Sequence, residues 1–553
     1  MKIRLTKNKK LLNIYLSIFW LVVYFIGPIA LNPMYSGSAW TLLIVITSYV
    51  LLNSGSFILE MGKRLNIDAN KNAEKDSIKS IIAPAKKRIS FLVILWALFI
   101  IVNIASSAFF NSKAYRDQFG DFVETEFSDD VQLVDLKQVP VVDKQLAKTL
   151  ADRKLGEDPG LGSQVFVGEP VIQQINGELI WAVPLHHSGF FMWINNMEGS
   201  HGYIKVSATD QNDIELVKKP IKYQPNSYFF DDIDRYVRIM KGKLFDGLTD
   251  YSFEIDDEGN AYWIITTYKN EWLLSLPEAT GVIILNATTG EIAEYGIDTV
   301  PSWVDRVQPE SYITTQLNNQ GSYVHGVFNF SNKDKFMTSD SSAIVYNEGN
   351  CYLFTGLTSV GADESAIGFV MVNMKTKESK FYQISGGTEY AAMLSAQGAV
   401  QQFGYSATAP IIINNNGIPT YFITLKDNSG LIKQYAFVSV ENVTLVGIGD
   451  TINAALRDYN SDLGAVNTFV EEGGAEQSLV APIVRIGTQA DKLGDIFNII
   501  LEGAEDTIFY AAQDLSNELS ISLIGDTVEI TYYDSEKGYV KINSFDNLLF
   551  KQK

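Results

Sequence analysis

The chain has 553 residues, of which 46% are hydrophobic and 20% charged, and its formal net charge is −20. This length predicts several domains, because single hydrophobic cores seldom grow beyond a few hundred residues. The single cysteine, Cys351, excludes an internal disulfide framework and a zinc site built from several cysteines.

Three apolar stretches near the N-terminus predict helices that cross a membrane. Residues 11–59 contain no charged side chain, and "GPIALNPMYSGS" divides them into stretches at about 11–31 and 39–59. A third uncharged stretch covers about 89–110. Each has about twenty residues, enough at ~1.5 Å per residue to cross a hydrocarbon core of ~30 Å. The alternatives are a buried helix of a soluble domain, or a signal peptide at the first stretch, which the second full-length stretch disfavours.

The basic residues predict the orientation of this membrane anchor. Five Lys and Arg precede the first stretch without an acidic residue, and segment 60–88 adds eight basic residues against four acidic ones. Because basic residues are enriched on the cytoplasmic side, we expect the N-terminus and the 60–88 loop to be cytoplasmic. The chain is then a plasma-membrane protein that contacts the lipid bilayer through three helices, and residues after about 110 are extracytoplasmic.

The remainder of the chain is strongly acidic. Residues 1–88 hold 13 of the 44 basic and four of the 64 acidic residues, which leaves a net charge of −29 for the rest. Such a surface repels nucleic acid and anionic head groups and favours solubility. We therefore expect no nucleic-acid partner.

From residue 113 the chain predicts an α+β fold of consecutive units. Runs of alternating apolar and polar residues are separated by Gly-bearing turns, which suit tight hairpins. These turns centre on Gly177, Gly259, Gly349 and Gly417. Each unit is one helix followed by an antiparallel meander, and the four units cover 113–220, 221–300, 301–386 and 387–450. The alternative is one large irregular β-sandwich with incidental helices.

Helical patterns precede the strands at 140–156, 226–242, 309–319 and 387–403. Side chains suited to cap these helices include Asp143, Ser227 and Thr388, and Pro309 suits a first helical position. The side chains expected to face inward are Phe229, Ile233, Val237 and Met240 in the second helix, and Ile313 and Leu317 in the third.

The C-terminal region has a different pattern. A connector at 451–478, helical at its start and acidic over 467–478, precedes closely spaced short strands with turns at "IGD" and "SEKG". These strands predict a small closed β-barrel over 479–553, similar to an OB- or SH3-like module.

The second unit has the best-defined hairpins. "FEIDDEGNAYWIITTY" (253–268) is followed by "GVIILNATTGEIAEYG" (281–296), where Thr289, Gly290 and Glu291 end a turn that begins at Asn286. This order of helix, strands and Thr-Gly turn resembles the PepSY domain, whose turn usually starts with Asp. In the third unit, Lys377 and Glu378 stand in place of Thr-Gly.

The PepSY resemblance implies a non-catalytic, cystatin-like fold that recognises other proteins. PepSY-like domains occur in protease propeptides and in exported bacterial proteins, so the resemblance also implies restraint of a peptidase. It supplies no catalytic residue, cofactor or metal site. We accordingly assign none.

The residues themselves offer few candidates for catalysis. His186, His187 and His201 gather with Glu198 on one predicted hairpin, but neighbouring strand residues face opposite sides of a sheet unless a bulge intervenes. A metal site there is the alternative to ordinary surface or cross-strand histidines. Acidic residues at 231, 232 and 234 suit a helix start, and Cys351 suits a core.

Three functions remain open from the sequence. The first is a membrane-anchored, extracytoplasmic scaffold or binding protein that contacts a protein or another cell-envelope component and is not an enzyme. The second is an exported cell-wall or peptide hydrolase with its site between units. The third is a subunit of an envelope-spanning machine, for which self-association of the chain is the distinguishing property.

Overall fold

A computed structural model describes residues 2–68, 75–131, 139–347, 349–360, 366–466, 476–489, 496–533 and 539–550. It shows N-terminal helices, four mainly antiparallel sheets and a separate ring of five strands. The predicted α+β class is therefore confirmed. The centre of the predicted 60–88 loop, most of the acidic segment 467–478 and the "SEKG" turn lie outside the described residues.

The N-terminal helices are α1 (Lys2–Ile26), α2 (Ser36–Asp68) and α3 (Lys75–Ser106). Among the described residues, Ser36–Ser54 and Lys86–Ser106 are long and apolar enough to cross a membrane, whereas the apolar part of α1 is shorter. The first helix ends before residue 31 because Pro28 lacks an N–H and disfavours helical geometry at the residue before it. Helices α2 and α3 extend well into the segment predicted as a loop.

Hydrogen bonds between polar side chains join these three helices. Trp20 Nε1 donates to Ser48 Oγ (2.9 Å) across α1 and α2, and Trp96 Nε1 donates to Thr47 Oγ1 (3.0 Å) across α3 and α2. Ser54, on α2, is also buried.

The ends of the same helices contact the folded region that follows. Tyr35, between α1 and α2, is buried; its hydroxyl donates to Tyr268 O (3.0 Å) and accepts from Gly247 N (3.1 Å). Three further bonds join Arg235 Nη1 to Ile26 O (3.1 Å), Asn270 Nδ2 to Met34 O (2.9 Å) and Ser275 Oγ to Ser106 O (2.9 Å). One end of α1, α2 and α3 therefore faces the same sheet region.

The remaining helices are short. They are α4 (Ala108–Asp117), α5 (Phe127–Asp130), α6 (Lys144–Gly156), α7 (Pro159–Gly162), α8 (Phe190–Asn195), α9 (Ile233–Arg235), α10 (Glu310–Ser322), α11 (Glu389–Ala399) and α12 (Ile452–Val466).

The strands form four sheets in the part of the chain up to residue 450. The first sheet contains β2 (Val165–Val167), β3 (Val171–Ile175), β4 (Glu178–His187), β5 (Tyr203–Ser207) and β6 (Ile214–Val217), and follows β1 (Val123–Glu124). The second contains β7 (Gly247–Ile255), β8 (Ala261–Trp272), β9 (Ser275–Asn286) and β10 (Ile292–Gly296). The third contains β11 (Phe336–Asn347), β12 (Asn350–Ser359), β13 (Ala366–Asn373) and β14 (Ser379–Tyr382), with β1 parallel to β14. The fourth contains β15 (Ser406–Ala407), β16 (Ile411–Asn415), β17 (Ile418–Lys426), β18 (Ile432–Ser439) and β19 (Val446–Gly449).

The first and fourth sheets share one topology. In the first, β2 and β3 both pair with β4, and β5 and β6 follow as a meander. In the fourth, β15 and β16 both pair with β17, and β18 and β19 follow in the same order. The first and fourth sheets, which lie in the two units without a quoted PepSY-like motif, thus have matching strand orders.

The predicted Gly turns adopt the expected backbone. Gly177, Gly259, Gly349 and Gly417 have φ of +82°, +72°, +72° and +86°, in the left-handed region. Glycine is favoured there because it has no Cβ.

Helix caps are partly as predicted. Asp143 accepts from Leu146 N at the start of α6, and Thr388 caps α11. The predicted helix over 226–242 is wrong as a single element: it is a 3₁₀ turn, the short α9 and a π-helical turn over Tyr236–Met240. Asp232 caps this region instead of Ser227, because its side chain accepts from Arg235 N. Pro309 precedes α10 as its N-cap residue.

The inward faces of these helices also differ from the prediction in one place. Ile313 and Leu317 of α10 are buried as expected, and so are Ile233 and Val237. Phe229 and Met240 are exposed, because the break in the predicted helix turns them away from the core.

Two shared cores hold the sheets in pairs. One core combines the first and second sheets, with Ile180 and Tyr203 against Phe253, Ile265 and Leu285. The other combines the third sheet, α11 and the fourth sheet; its members include Phe354, Phe369, Ala392, Ala396, Tyr421 and Ile423. Burial of apolar area on this scale is the main favourable term in folding.

Residues Leu463–Lys553 form a second compact part of the chain. Its strands are β20 (Glu476–Gln489), β21 (Ile496–Leu501), β22 (Ile508–Ala512), β23 (Thr527–Tyr533) and β24 (Tyr539–Asn547). They pair in the closed order β20-β21-β22-β24-β23 around a core that includes Ile499, Phe509 and Ile530. The likeness to OB- or SH3-like modules stays a prediction.

Candidate functional site

A groove of about 810 Å³ lies between the first and second sheets. Its lining comes from α6, from β2–β4, from residues 224–228 and from β7 and β8. Aromatic rings dominate the walls: Phe166, Tyr228, Tyr251, Phe253 and Trp263. The inner surface that a ligand would contact in this groove is therefore mainly flat and apolar.

His186 lies at the centre of the aromatic wall. Its ring stacks on Trp263 at 6.2 Å with 25° between the planes, and it lies 5.5 Å from the ring of Phe166. Gly168, between β2 and β3, lies against the His186 ring. A Cβ at residue 168 would lie 2.4 Å from His186 Nε2, so glycine here makes room for the imidazole.

Both neighbouring histidines line this groove, although alternation along β4 predicts that they face opposite sides. The strand that pairs with β4 is interrupted beside these histidines. Residues 168–170 ("GEP") separate β2 from β3 there, so the pairing is not regular. His187 is 8% exposed, and neither of its ring nitrogens has a hydrogen-bond partner among the described residues.

Burial keeps these imidazoles neutral. Desolvation lowers the pKa of His186 to about 4, and it also lowers the pKa of His187. A neutral imidazole has one donor and one acceptor nitrogen, so the site can offer hydrogen bonds without a formal charge.

Charged side chains stand at the rim of the groove. Lys148 Nζ lies 2.6 Å from Glu169 Oε1, and Lys144 Nζ lies 3.3 Å from Glu169 Oε2. These lysines lower the pKa of Glu169, whereas burial raises the pKa of Asp152 nearby. The rim carries both signs of charge, and exposed pairs of this kind contribute little to stability.

His201 and Glu198 are separated from this groove. They line a second cavity of about 520 Å³ together with Asp158. Within the described ranges, no group of three or more His, Cys, Asp or Glu side chains is placed to hold a metal ion. The fourth histidine, His325, pairs with Asp334 on the surface at 2.7 Å.

Each of the three acids at 231–234 has a structural partner. Asp231 accepts from Trp193 Nε1 (2.7 Å), Asp232 caps α9, and Asp234 accepts from the hydroxyl of Tyr251 (2.6 Å). Burial raises the pKa of Asp231 and of Asp232. These bonds join α8 and β7 to the segment around α9.

The structure contains a buried polar junction between three sheets that the sequence analysis did not predict. Asp305 N donates to Glu254 Oε2 (2.9 Å), the hydroxyl of Tyr346 donates to Asp305 Oδ2 (2.8 Å), and Ile255 N donates to Gln173 Oε1 (2.8 Å). Burial and the nearby Asp305 carboxylate raise the pKa of Glu254 to about 8. The only local signal is an acid inside the apolar strand "SFEI".

Cys351 is buried in the core beside this junction, as expected. Burial raises the pKa of its thiol to about 12, so the reactive thiolate is strongly disfavoured near neutral pH.

No protein-family model matches the chain, and no curated protein matches it significantly.

Proposed function

We propose that the chain is a membrane-anchored, extracytoplasmic binding protein that recognises a segment of another protein in the groove between the first and second sheets. The observation that carries this proposal is the aromatic wall around a half-buried, neutral His186. Aromatic surfaces with a few unused hydrogen-bonding atoms are typical of recognition sites.

The anchor in this proposal consists of three membrane spans. Two helices of sufficient length and apolarity support it. The bonds from Tyr35 and from Ser106, at the end of α3, to the second sheet support a common side for the loop 27–35 and the region after 106. With the basic residues of 1–88 in the cytoplasm, that common side is extracytoplasmic.

The PepSY resemblance belongs to the same proposal. The shared topology of the first and fourth sheets and the repeated turns of the second and third support tandem units of one design. Restraint of a peptidase by these units is the role that the resemblance adds.

A site-specific photo-crosslinker tests the binding function in intact cells. Phe166 in the groove is the test position, and Phe403 near α11 is its matched control, because the two side chains are 52% and 54% exposed. We expect a crosslinker at residue 166 to form an adduct with one other polypeptide, and a crosslinker at residue 403 to form none. Equal adducts at both positions, or none at residue 166, would contradict recognition in the groove.

The hydrolase is the second candidate because the groove does bring two histidines together with Asp152 and Glu169. A base whose pKa is near 4 is a weak proton acceptor at neutral pH, which favours binding over catalysis. Turnover of peptide or cell-wall fragments by the purified chain, lost in the His186→Ala variant, would reverse this preference.

A further inference from the structure

Exposed aromatic side chains are concentrated beside the ends of α1, α2 and α3. We call six of them the aromatic collar: Phe109, Phe229, Phe230, Trp272, Phe328 and Phe330. Large exposed apolar patches on a soluble surface indicate a binding partner. The contacts of the collar residues indicate which partner this is.

The first group lies where α1 ends. The ring of Phe230 meets the ring of Phe25 edge to face at 5.5 Å. Arg235, five residues further on, lies 5.5 Å over the same Phe25 ring and donates from Nη1 to Ile26 O. Phe229 and Phe230 are thus held at the level of the last turn of α1.

The second group is the tip of the hairpin between β8 and β9. Trp272 is exposed there, between Asn270, which donates to Met34 O, and Ser275, which donates to Ser106 O. The tip therefore reaches the start of α2 and the end of α3. Leu273 has a φ of +45°, a left-handed conformation for which glycine or asparagine is the usual choice. The tip carries an apolar side chain at this position despite the backbone strain.

The third group lies just beyond the end of α3. Phe109 on α4 lies 5.9 Å from the ring of Phe328, and Phe328 lies 6.1 Å from Phe330. Phe330 is 84% exposed, although a phenylalanine is normally buried.

We propose that the aromatic collar is inserted into the interfacial layer of the bilayer, so that the folded region itself binds lipid around its helical anchor. Aromatic side chains are enriched at the membrane–water interface. The region after residue 88 carries a net charge of −29, so uncharged rings are the part of it that anionic head groups do not repel. This proposal rests on the membrane anchoring proposed above.

Spin labels on the full chain in lipid nanodiscs test the collar. Single cysteines replace Phe230, Trp272 and Phe330, and the native Cys351 does not interfere because it is buried. Phe403→Cys and Tyr390→Cys are exposed controls near α11, and Leu51→Cys, exposed on α2, reports the anchor. Each label is scored by its accessibility to apolar oxygen relative to a water-soluble nickel chelate.

We expect labels at the three collar positions to favour oxygen over the chelate several-fold more than the two control labels do. Chelate access equal to that of the controls, with Leu51→Cys still favouring oxygen, would overturn the collar and leave the anchor intact. Collar labels that neither reagent reaches would show cover by protein and would also overturn it. Chelate access at Leu51→Cys would instead refute the anchoring on which the collar rests.

Discussion

Two turns of the second and third sheets have the same backbone and different side chains. Asn286 Oδ1 accepts from the backbone N–H of residues 288 and 289 at 3.0 and 2.8 Å. Asn373 Oδ1 accepts from residues 375 and 376 at 2.8 and 3.0 Å. The fifth position is left-handed in both turns: Gly290 has a φ of +76°, and Lys377 has a φ of +68°.

The matching hydrogen bonds of Thr289 and Thr376 shift the predicted pairing of the two turns by one residue. Lys377 and Glu378 were expected to replace Thr-Gly, whereas Thr376 occupies the place of Thr289 and Lys377 that of Gly290. Only one residue of the pair differs. The asparagine that starts the turn, and not the glycine, is therefore the shared determinant.

The neighbours of the fifth position explain the difference. A Cβ at Gly290 would lie 2.5 Å from the hydroxyl oxygen of Tyr236 and 2.6 Å from the ring of Tyr223, so no side chain fits. Lys377 faces the second sheet, where its Nζ lies 2.6 Å from Glu278 Oε1 and 3.1 Å from Gln316 Oε1. The turn of the third sheet thus uses the Lys377 side chain to hold the second and third sheets together.

The largest expected effect is at Gly290. The Gly290→Ala substitution combines a left-handed alanine with overpacking against two tyrosines, and should cost about 2–4 kcal/mol in the free energy of unfolding. Urea unfolding of the detergent-solubilised chain measures it, with Gly404→Ala as the control for φ alone because nothing lies within 4 Å of a Cβ there. Equal losses in the two variants would show that the tyrosines do not limit this position.

The next effect is at Lys377. The side chains of Lys377 and Glu278 are only 15% and 19% exposed, so Lys377→Met leaves a largely desolvated carboxylate without its partner. This change should cost about 1–3 kcal/mol in the free energy of unfolding. The double variant with Glu278→Gln should recover part of this loss. Lys375→Met, which removes an exposed bond to Ser302 O, is the matched control and should change the same free energy by less than about 0.5 kcal/mol. Additivity of the two changes at Lys377 and Glu278 would contradict a direct bridge.

The strands before the first hairpins extend the comparison. Glu254 and Tyr346 are the last residues but one of β7 and β11, and both reach Asp305. Because the pKa of Glu254 is raised to about 8, the folded state binds its proton in the window from the ordinary value of 4.5 to about 8. The stability that Glu254 contributes is therefore greatest below pH 4.5 and is lost as the pH rises through 8.

The Glu254→Gln variant should remove this dependence. We expect the native chain to lose at least about 1 kcal/mol relative to the variant between pH 5 and pH 8, as one pKa unit corresponds to ~1.4 kcal/mol. Unfolding curves of both proteins at pH 5 and pH 8 provide the measurement. If the free energy of unfolding changes equally with pH in the two proteins, Glu254 titrates normally.

The smallest effects should be equal in the two turns. Asn286→Ala and Asn373→Ala each remove two side-chain bonds to the backbone and should each cost about 1 kcal/mol in urea unfolding. Costs that differ by more than this amount would show that the two turns are not energetically equivalent.

Local patterns predicted local structure well. Asp143 and Thr388 cap their helices, and the four Gly turns have positive φ, because these features depend on a few neighbouring residues. The helix predicted over 226–242 failed because Asp232 starts a new turn and Tyr223 packs against Tyr236 from outside the segment. The groove depends on contacts such as His186 with Trp263, which are 77 positions apart, so no local pattern announces them.

Labelling in intact cells tests the central claim, that acidic residues beyond the anchor lie outside the cytoplasm. Ser429→Cys on the exposed turn between β17 and β18 and Thr6→Cys before the first apolar stretch are treated with a membrane-impermeant maleimide. Buried Cys351 supplies the unlabelled background. We expect residue 429 to react in intact cells and residue 6 only after lysis. Labelling of residue 6 but not residue 429 in intact cells would contradict the topology and the extracytoplasmic function with it.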